Sequence, residues 1–196
     1  MGGMTKTIEF SMVAAYTKDG RVLGSPDARF GLPWGDEPKG STSGDMAHFV
    51  EISSGNTMIV GANTAPGLDR LHGTRERRLM VVASPDRPIQ TRGEVASSVA
   101  EAIERVAGDP GFYGKPIVAG GARTYLEAME YARQRAQQGM GVRATFYATE
   151  FHKNYPGSIL MPDLLEGWME TDGLRTHHGP DIEGGPEYDF VTFEYN

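Results

Sequence analysis

The stretch Pro116-Ile117-Val118-Ala119-Gly120-Gly121-Ala122-Arg123-Thr124-Tyr125 decides the architecture. Its first four residues form a continuous apolar run, the pattern of a strand covered on both faces. A glycine pair then turns the chain, and residues 124 to 137 read as a helix with Leu126, Met129 and Ala132 turned inward. Strand, glycine turn and helix in that order make one unit of a parallel α/β layer. Backbone N–H groups at such a turn can approach a pyrophosphate, and the helix N-terminus favours its charge. Paired glycines also serve simply to reverse a chain, and the pattern is not the Gly-x-Gly-x-x-Gly dinucleotide fingerprint. Arg123 leans the reading toward phosphate.

The flanking segments extend the same layer. Thr57-Met58-Ile59-Val60-Gly61 and Leu79-Met80-Val81-Val82-Ala83 are further unbroken apolar runs, as parallel buried strands require. Residues 8 to 15 predict a strand that enters a polar turn, followed by the brief Val22-Leu23-Gly24. Residues 144 to 149 predict another, and in residues 188 to 195 Phe190 and Phe193 alternate with polar side chains, as in an edge or hairpin strand. Helices are expected over residues 44 to 54 and over residues 95 to 106, where Val95, Val99, Ala102, Ile103 and Val106 trace one stripe. Residues 25 to 44, rich in Gly, Pro, Ser and charge, predict a long binding loop or lid.

At 196 residues the chain fits one domain, and 39% hydrophobic residues with 26 glycines support a packed core. A net charge of -7 speaks against a nucleic-acid surface, which needs a basic face. Cysteine is absent, which excludes disulfides and thiolate metal sites and fits a reducing cytoplasm. No apolar run is long enough for a membrane span, and Met1-Gly2-Gly3-Met4 leads into Thr5-Lys6-Thr7 without the core of a secretion signal.

Asp45 is the first candidate for chemistry. It shares a helical face with Phe49, and with Trp34 folded over it a carboxylate there matches two parallel N–H donors of an amidine-like group. The plain alternative is a first-turn residue complementing the helix dipole. Val60-Gly61-Ala62-Asn63-Thr64 closes a second strand at the end where open α/β sheets bind ligands. Arg75, Arg77 and Arg78 read as a solvated turn from which one guanidinium can meet a substrate carboxylate. His177-His178 carries no metal expectation, because neighbours on a strand face opposite ways and no carboxylate partner is evident. Gly-x-Ser-x-Gly, His-Glu-x-x-His and Gly-Lys-Ser/Thr are all missing, so the chemistry belongs to a cofactor, and hydride transfer fits best.

Together these segments resemble the dihydrofolate reductase family over nearly the whole chain, and their order is the strongest part of the likeness. Met12-Val13-Ala14-Ala15 looks like the family's first strand, Arg21-Val22-Leu23-Gly24 like the following turn, and Leu32-Pro33-Trp34 like the end of its active-site loop. The resemblance implies one α/β domain spanning residues 1 to 196, a sandwich with a mainly parallel central sheet, an antiparallel C-terminal strand and helices on both faces. It implies NADPH as cofactor, dihydrofolate as substrate and antifolates such as methotrexate as ligands. Asp45 then matches the catalytic carboxylate, with Trp34 beside it and Thr149 bonding it. Val13, Ala14, Leu32, Phe49 and Leu68 match the pocket walls, and Arg77, with Arg75 as competing register, the arginine for the glutamate tail of folate. Ala15, Gly61, Asn63, Thr64 and Ser84 match cofactor contacts, as do Ala119, Gly120, Gly121, Ala122, Arg123, Thr124 and Tyr125. No metal enters, and the chain is expected to be a monomer or homodimer.

Three departures stand out. Residues 35 to 44 are longer than the family's usual connection. Ala62 stands where a basic residue commonly meets the 2′-phosphate, and Ala83 where serine is common, so NADPH preference rests on Arg123, Ser84 and the family resemblance, with Asn63 as a helper. The family's Leu-Pro-Gly-Arg before the third strand is degraded. The nearest rival is the pyrimidine reductase of riboflavin biosynthesis, on the same fold, which shares a turn like Lys18-Asp19-Gly20-Arg21; a non-catalytic nucleotide-binding relative is the alternative from another class.

Overall fold

A computed structural model describes residues 6–28, 31–86, 89–109, 111–112 and 114–195. The N-terminal residues 1–5, read above for a secretion signal, lie outside the described residues.

The chain enters as β1 (Ile8–Thr17), turns through β2 (Val22–Gly24) and the long connection, and forms α1 (Ser43–Ser53), β3 (Thr57–Gly61) and the single turn α2 (Ala65–Leu68). It continues as β4 (Arg78–Val82), β5 (Glu94–Ala96), α3 (Val99–Gly108), β6 (Pro116–Val118), α4 (Ala122–Gln137) and β7 (Val142–Phe151). The last part is all strand: β8 (Ile159–Leu160), β9 (Trp168–Glu170), β10 (Thr176–His178) and β11 (Tyr188–Tyr195). The main sheet runs β10-β11-β7-β1-β6-β3-β4-β5, with β9 also on β11 and β2 paired separately with β8. From β7 to β5 every neighbour is parallel, and β11 joins β7 antiparallel.

Strand alternation divides the core into two layers. Val13, Met58, Val60, Leu79, Val81 and Ile117 turn one way, toward Phe49 and Ile52 of α1 and Leu68 of α2. Met12, Ile59, Met80 and Val118 turn the other way, onto Ile103 of α3 and Met129 of α4. The helices therefore cover both faces, as the unbroken apolar runs require. A third cluster, Trp34, Phe151, Tyr155 and Tyr188, closes the carboxyl end near β7 and β11.

One expectation needs correction. The stripe over residues 95 to 106 splits: Val95 is 47% exposed on β5, and the helix begins only at Val99. Ser98 caps it by accepting from Glu101 N–H at 3.1 Å, while Glu101 reaches back to the Ser97 N–H at 2.8 Å; these caps fix the start that the apolar spacing misplaced. Of the edge and hairpin readings of residues 188 to 195, the hairpin one holds: β11 is antiparallel to β10, and β9 and β10 pair along its outer side.

Candidate active site

The carboxyl ends of the parallel strands carry the site. Gly61 N–H donates to Gly120 C=O at 2.8 Å, and Ala119 N–H to Ile59 C=O at 2.9 Å, which ties the ends of β3 and β6 together. Gly120 holds φ of +124°, a conformation that disfavours side chains. A Cβ on Gly120 would meet Thr64 Cγ2 at 3.3 Å, and one on Gly121 would meet Thr64 Oγ1 at 3.1 Å. The two turns thus approach as closely as only glycine allows. The helix α4 starts directly behind them with no side-chain cap, so its first N–H groups are left to solvent or to an anion. Thr124 is buried and donates to Gly121 C=O at 2.7 Å; Tyr125 is buried and donates to Val13 C=O at 2.7 Å, bracing the turn against β1. Asn63, Ser84 and Arg123 are exposed around this cradle, Ala15 and Ala122 are half-buried, and Arg123 pairs with Glu127 at 2.7 Å.

Asp45 lies in the first turn of α1, facing the neighbouring β7. It stays partly open to solvent at the cleft, yet protein crowds the carboxyl itself. Burial pushes its pKa from 3.8 up to about 6, helped by the negative charge of Asp181 and opposed by a hydrogen bond from Thr149. Thr149 is buried in β7, in register with Ala15 of β1. Phe49 and Leu68 pack on the cluster that holds Val13, Leu32 packs on the Trp34 cluster, and Ala14, next to Val13 in β1, is buried in the opposite layer with α3 and α4. A carboxyl poised near neutrality against an apolar wall is suited to holding or passing a proton.

Trp34 is buried, its ring 4.6 Å from that of Phe151 and 6.0 Å from that of Tyr155. It meets the surroundings of Asp45 through Tyr188, which belongs to the same cluster and whose hydroxyl donates to Asp181 at 2.9 Å. Burial raises the Tyr188 phenol pKa, and Asp181 and Asp45 raise it further. Residues 35 to 44 are tied down: Tyr155 donates to Glu37 at 2.9 Å, Lys153 pairs with the same oxygen, and Ser41 is buried.

Other residues were not visible from sequence. Asp181 Oδ2 accepts the Gly44 N–H at 2.8 Å, replacing the missing side-chain cap of α1 and linking residues 180–187 to the helix that bears Asp45. Gly44 must be glycine, because a Cβ there would fall 1.9 Å from the Tyr188 hydroxyl. His48, one turn along α1, stacks on Phe190 with centroids 4.1 Å apart, and burial holds its pKa below the usual range. Helical spacing from Asp45 is the signal that could have found His48; nothing in the sequence signals Asp181 or Tyr188.

The arginine turn is corrected. Arg77 is buried, donating to Ser53 Oγ at 2.8 Å and Val50 C=O at 3.5 Å, whereas Arg75 is exposed with φ of 50°. The two competing registers therefore differ physically, and only Arg77 is fixed against α1. The view that His177 lacks a carboxylate partner is also overturned: β10 pairs with β11 so that His177 faces Asp189, Nδ1 3.0 Å from Oδ1. A cavity of about 560 Å3 lies at the opposite end of the sheet, where Glu9 is paired with Lys115 and Arg143.

The family model described as dihydrofolate reductase matches residues 9–195. The chain belongs to the dihydrofolate reductase family. A dihydrofolate reductase of Bacillus subtilis (strain 168) is 25% identical over 164 residues, 83% of each chain. The fold is shared with a dihydrofolate reductase from Enterococcus faecalis, solved with NADP(H) and RAB-propyl, at a TM-score of 0.69 and 18% identity over 96% of each chain. A family of NADPH-dependent oxidoreductases requires a pyrophosphate cradle, and the Gly120-Gly121 turn with the uncapped α4 fits one. The mainly parallel sheet with its antiparallel C-terminal strand is the family's architecture.

Proposed function

We propose that this protein is a working dihydrofolate reductase that converts 7,8-dihydrofolate to 5,6,7,8-tetrahydrofolate. The observation that carries the reading is Asp45: a carboxyl with a pKa raised to about 6, bonded by Thr149, beside the apolar residues Phe49 and Val13. NADPH, when bound, supplies the hydride for C6 of the pterin. In this reading Asp45 accepts from the 2-amino group and N3 and favours protonation of N5 through water admitted near Trp34 and the loop. Thr149 orients the carboxyl. Val13, Leu32, Phe49 and Leu68 exclude bulk water, and Trp34 closes the cleft through its aromatic cluster. Arg77 is the candidate for the glutamate tail because α1 holds it in place.

Ala15, Gly61, Asn63, Thr64, Ser84, Ala119, Gly120, Gly121, Ala122, Arg123, Thr124 and Tyr125 form the proposed cofactor side. Within it the backbone turns and α4 take the pyrophosphate, exposed Arg123 and Ser84 stand at the phosphate of the adenosine, and Tyr125 acts from below by holding the turn. A cytoplasmic setting and binding of antifolates such as methotrexate belong to the same proposal.

The test is NADPH oxidation followed spectrophotometrically. Turnover that depends on dihydrofolate and falls about 10²–10⁴-fold in Asp45→Asn is expected. Turnover on a riboflavin-pathway pyrimidine instead would favour the rival reductase. Cofactor binding without turnover, and no uptake of methotrexate, would mark a non-catalytic relative.

A further inference from the structure

On the sheet face opposite Asp45, three chain segments bring two imidazoles to one buried carboxylate. Asp189 on β11 has a side chain 6% exposed. His177 arrives from β10, and His152 stands immediately after β7, where its N–H donates to Glu187 C=O at 2.9 Å and continues the β7–β11 ladder. His177 Nδ1 and His152 Nε2 both lie 3.0 Å from the same oxygen, Oδ1 of Asp189. The His152 nitrogen is buried and lacks the alignment of a hydrogen bond, so it is a close contact without a donor–acceptor partner. All three ligand atoms fall within 4.8 Å of one another.

We propose that His152, His177 and Asp189 bind a divalent transition ion of the zinc class. Zinc bonds of about 2.0–2.2 Å at tetrahedral angles set ligand atoms roughly 3.3 Å apart, close to the 3.0 Å between each imidazole nitrogen and Asp189 Oδ1, with the two nitrogens within 4.8 Å of each other. Adjacent paired strands fix the ligands before any ion arrives. Glu187 lies 3.9 Å from His152 Nδ1, the position of a carboxylate that orients a metal-bound imidazole through its second nitrogen. The other oxygen of Asp189 is engaged by Arg175 at 2.8 Å and Lys18 at 3.2 Å, which turns Oδ1 toward the histidines. Those two cations oppose an incoming ion, although Glu150 and Glu170 partly neutralise Arg175 at 2.8 Å each. The expected affinity is accordingly micromolar rather than that of a thiolate site. The fourth position is left to water, since His177 is 57% exposed and the site opens outward.

The test uses the full chain without an affinity tag, titrated with Zn2+ and separately with Co2+ at neutral pH. One ion per chain by calorimetry, Co2+ absorption of tetrahedral intensity and a melting temperature that rises with ion concentration are expected. His152→Gln and His177→Gln should each weaken binding at least about tenfold, and the double variant should abolish it, while His178→Gln leaves it unchanged. Both histidines lie outside the cleft, so the variants are expected to fold, and their melting without metal checks this. Absence of saturable binding in the parent overturns the proposal in favour of a plain ion-pair network, as does binding retained by the double variant.

Discussion

Asp45 and Asp189 sit near the same end of the sheet, on opposite faces, and burial acts on them with opposite results. Thr149 and Glu150 alternate across β7; Asp45 meets Thr149 on one face, and Asp189 lies opposite Glu150 on the other. Removal from water favours the neutral form of both, and it is the largest single influence on each. Asp45 has a neutral hydroxyl and a neighbouring anion for company, and its pKa goes up to about 6. Asp189 touches His177, His152, Arg175 and Lys18, which hold it far below the ordinary carboxylate range. The lesson is that depth alone does not make a carboxyl reactive. A buried acid without a cation can exchange a proton near neutral pH, while a buried acid ringed by cations is a permanent anion that can organise structure or an ion.

The widest separation between the two comes from the same substitution at each. Asp45→Asn lowers turnover about 10²–10⁴-fold but raises stability at pH 7. Its folded pKa lies above the unfolded 3.8, so the native state favours the protonated acid, and this contribution is lost as pH rises through about 6. A shift of that size corresponds to at most about 3 kcal/mol, and partial contact with solvent reduces the expected gain to about 1–2 kcal/mol. Asp189→Asn does the reverse. Its pKa is depressed, so its contribution is present above the unfolded pKa and lost as pH falls below it toward the folded value. Leaving Arg175 and Lys18 without their carboxylate costs about 1–3 kcal/mol, moderated by their exposure. Urea denaturation at pH 7 and pH 5 measures both signs. If both variants lose stability at pH 7, the contrast fails.

Sequence reached the two acids unequally, for a physical reason. The glycine turn, the apolar strands and the Asp45/Phe49 pair are local patterns, and the fold honoured them at β3, β4, β6 and α4. Asp189 and His177 are ordinary polar residues until strand register brings them together, and neither Trp168-Met169-Glu170 nor Thr176-His177-His178 carries the apolar signal of a strand. Asp181 caps α1 from a loop 137 residues away, which no periodicity reports. Val95 shows the other failure: its spacing suited the helical stripe, but the Ser97–Ser98–Glu101 caps set the boundary, and that signature was legible. Arg77 looked like its solvated neighbours because burial of a guanidinium depends on Ser53 and Val50, reached only after α1 folds.

A finer comparison sets the neutral partner of Asp45 against its charged one. Thr149→Val removes the hydrogen bond that lowers the Asp45 pKa, so the ionisation near 6 moves upward. Turnover falls about tenfold, within the range for a lost hydrogen bond to a charged group. Stopped-flow hydride transfer against pH reads both effects. A lower apparent pKa in this variant would remove Thr149 as the partner of the ionised acid.

Asp181→Asn is the smallest and most discriminating change. The charge of Asp181 raises the Asp45 pKa, whereas its oxygens receive Gly44 N–H and the Tyr188 hydroxyl. Asparagine keeps an acceptor for Gly44, so the start of α1 holds, and an amide that can bond the Tyr188 oxygen, but it removes the charge. Asp181 is exposed, which screens its field, so the expected downward movement of the Asp45 pKa is small. In the proposed mechanism Asp45 favours protonation of N5 through water, so the loss of rate with rising pH begins earlier while the rate at low pH is kept. Added salt should shrink the difference between parent and variant, because it screens a charge but not a hydrogen bond. A uniform loss of rate at every pH would instead assign Asp181 to shaping the cleft through Gly44, with no electrostatic share in the behaviour of Asp45.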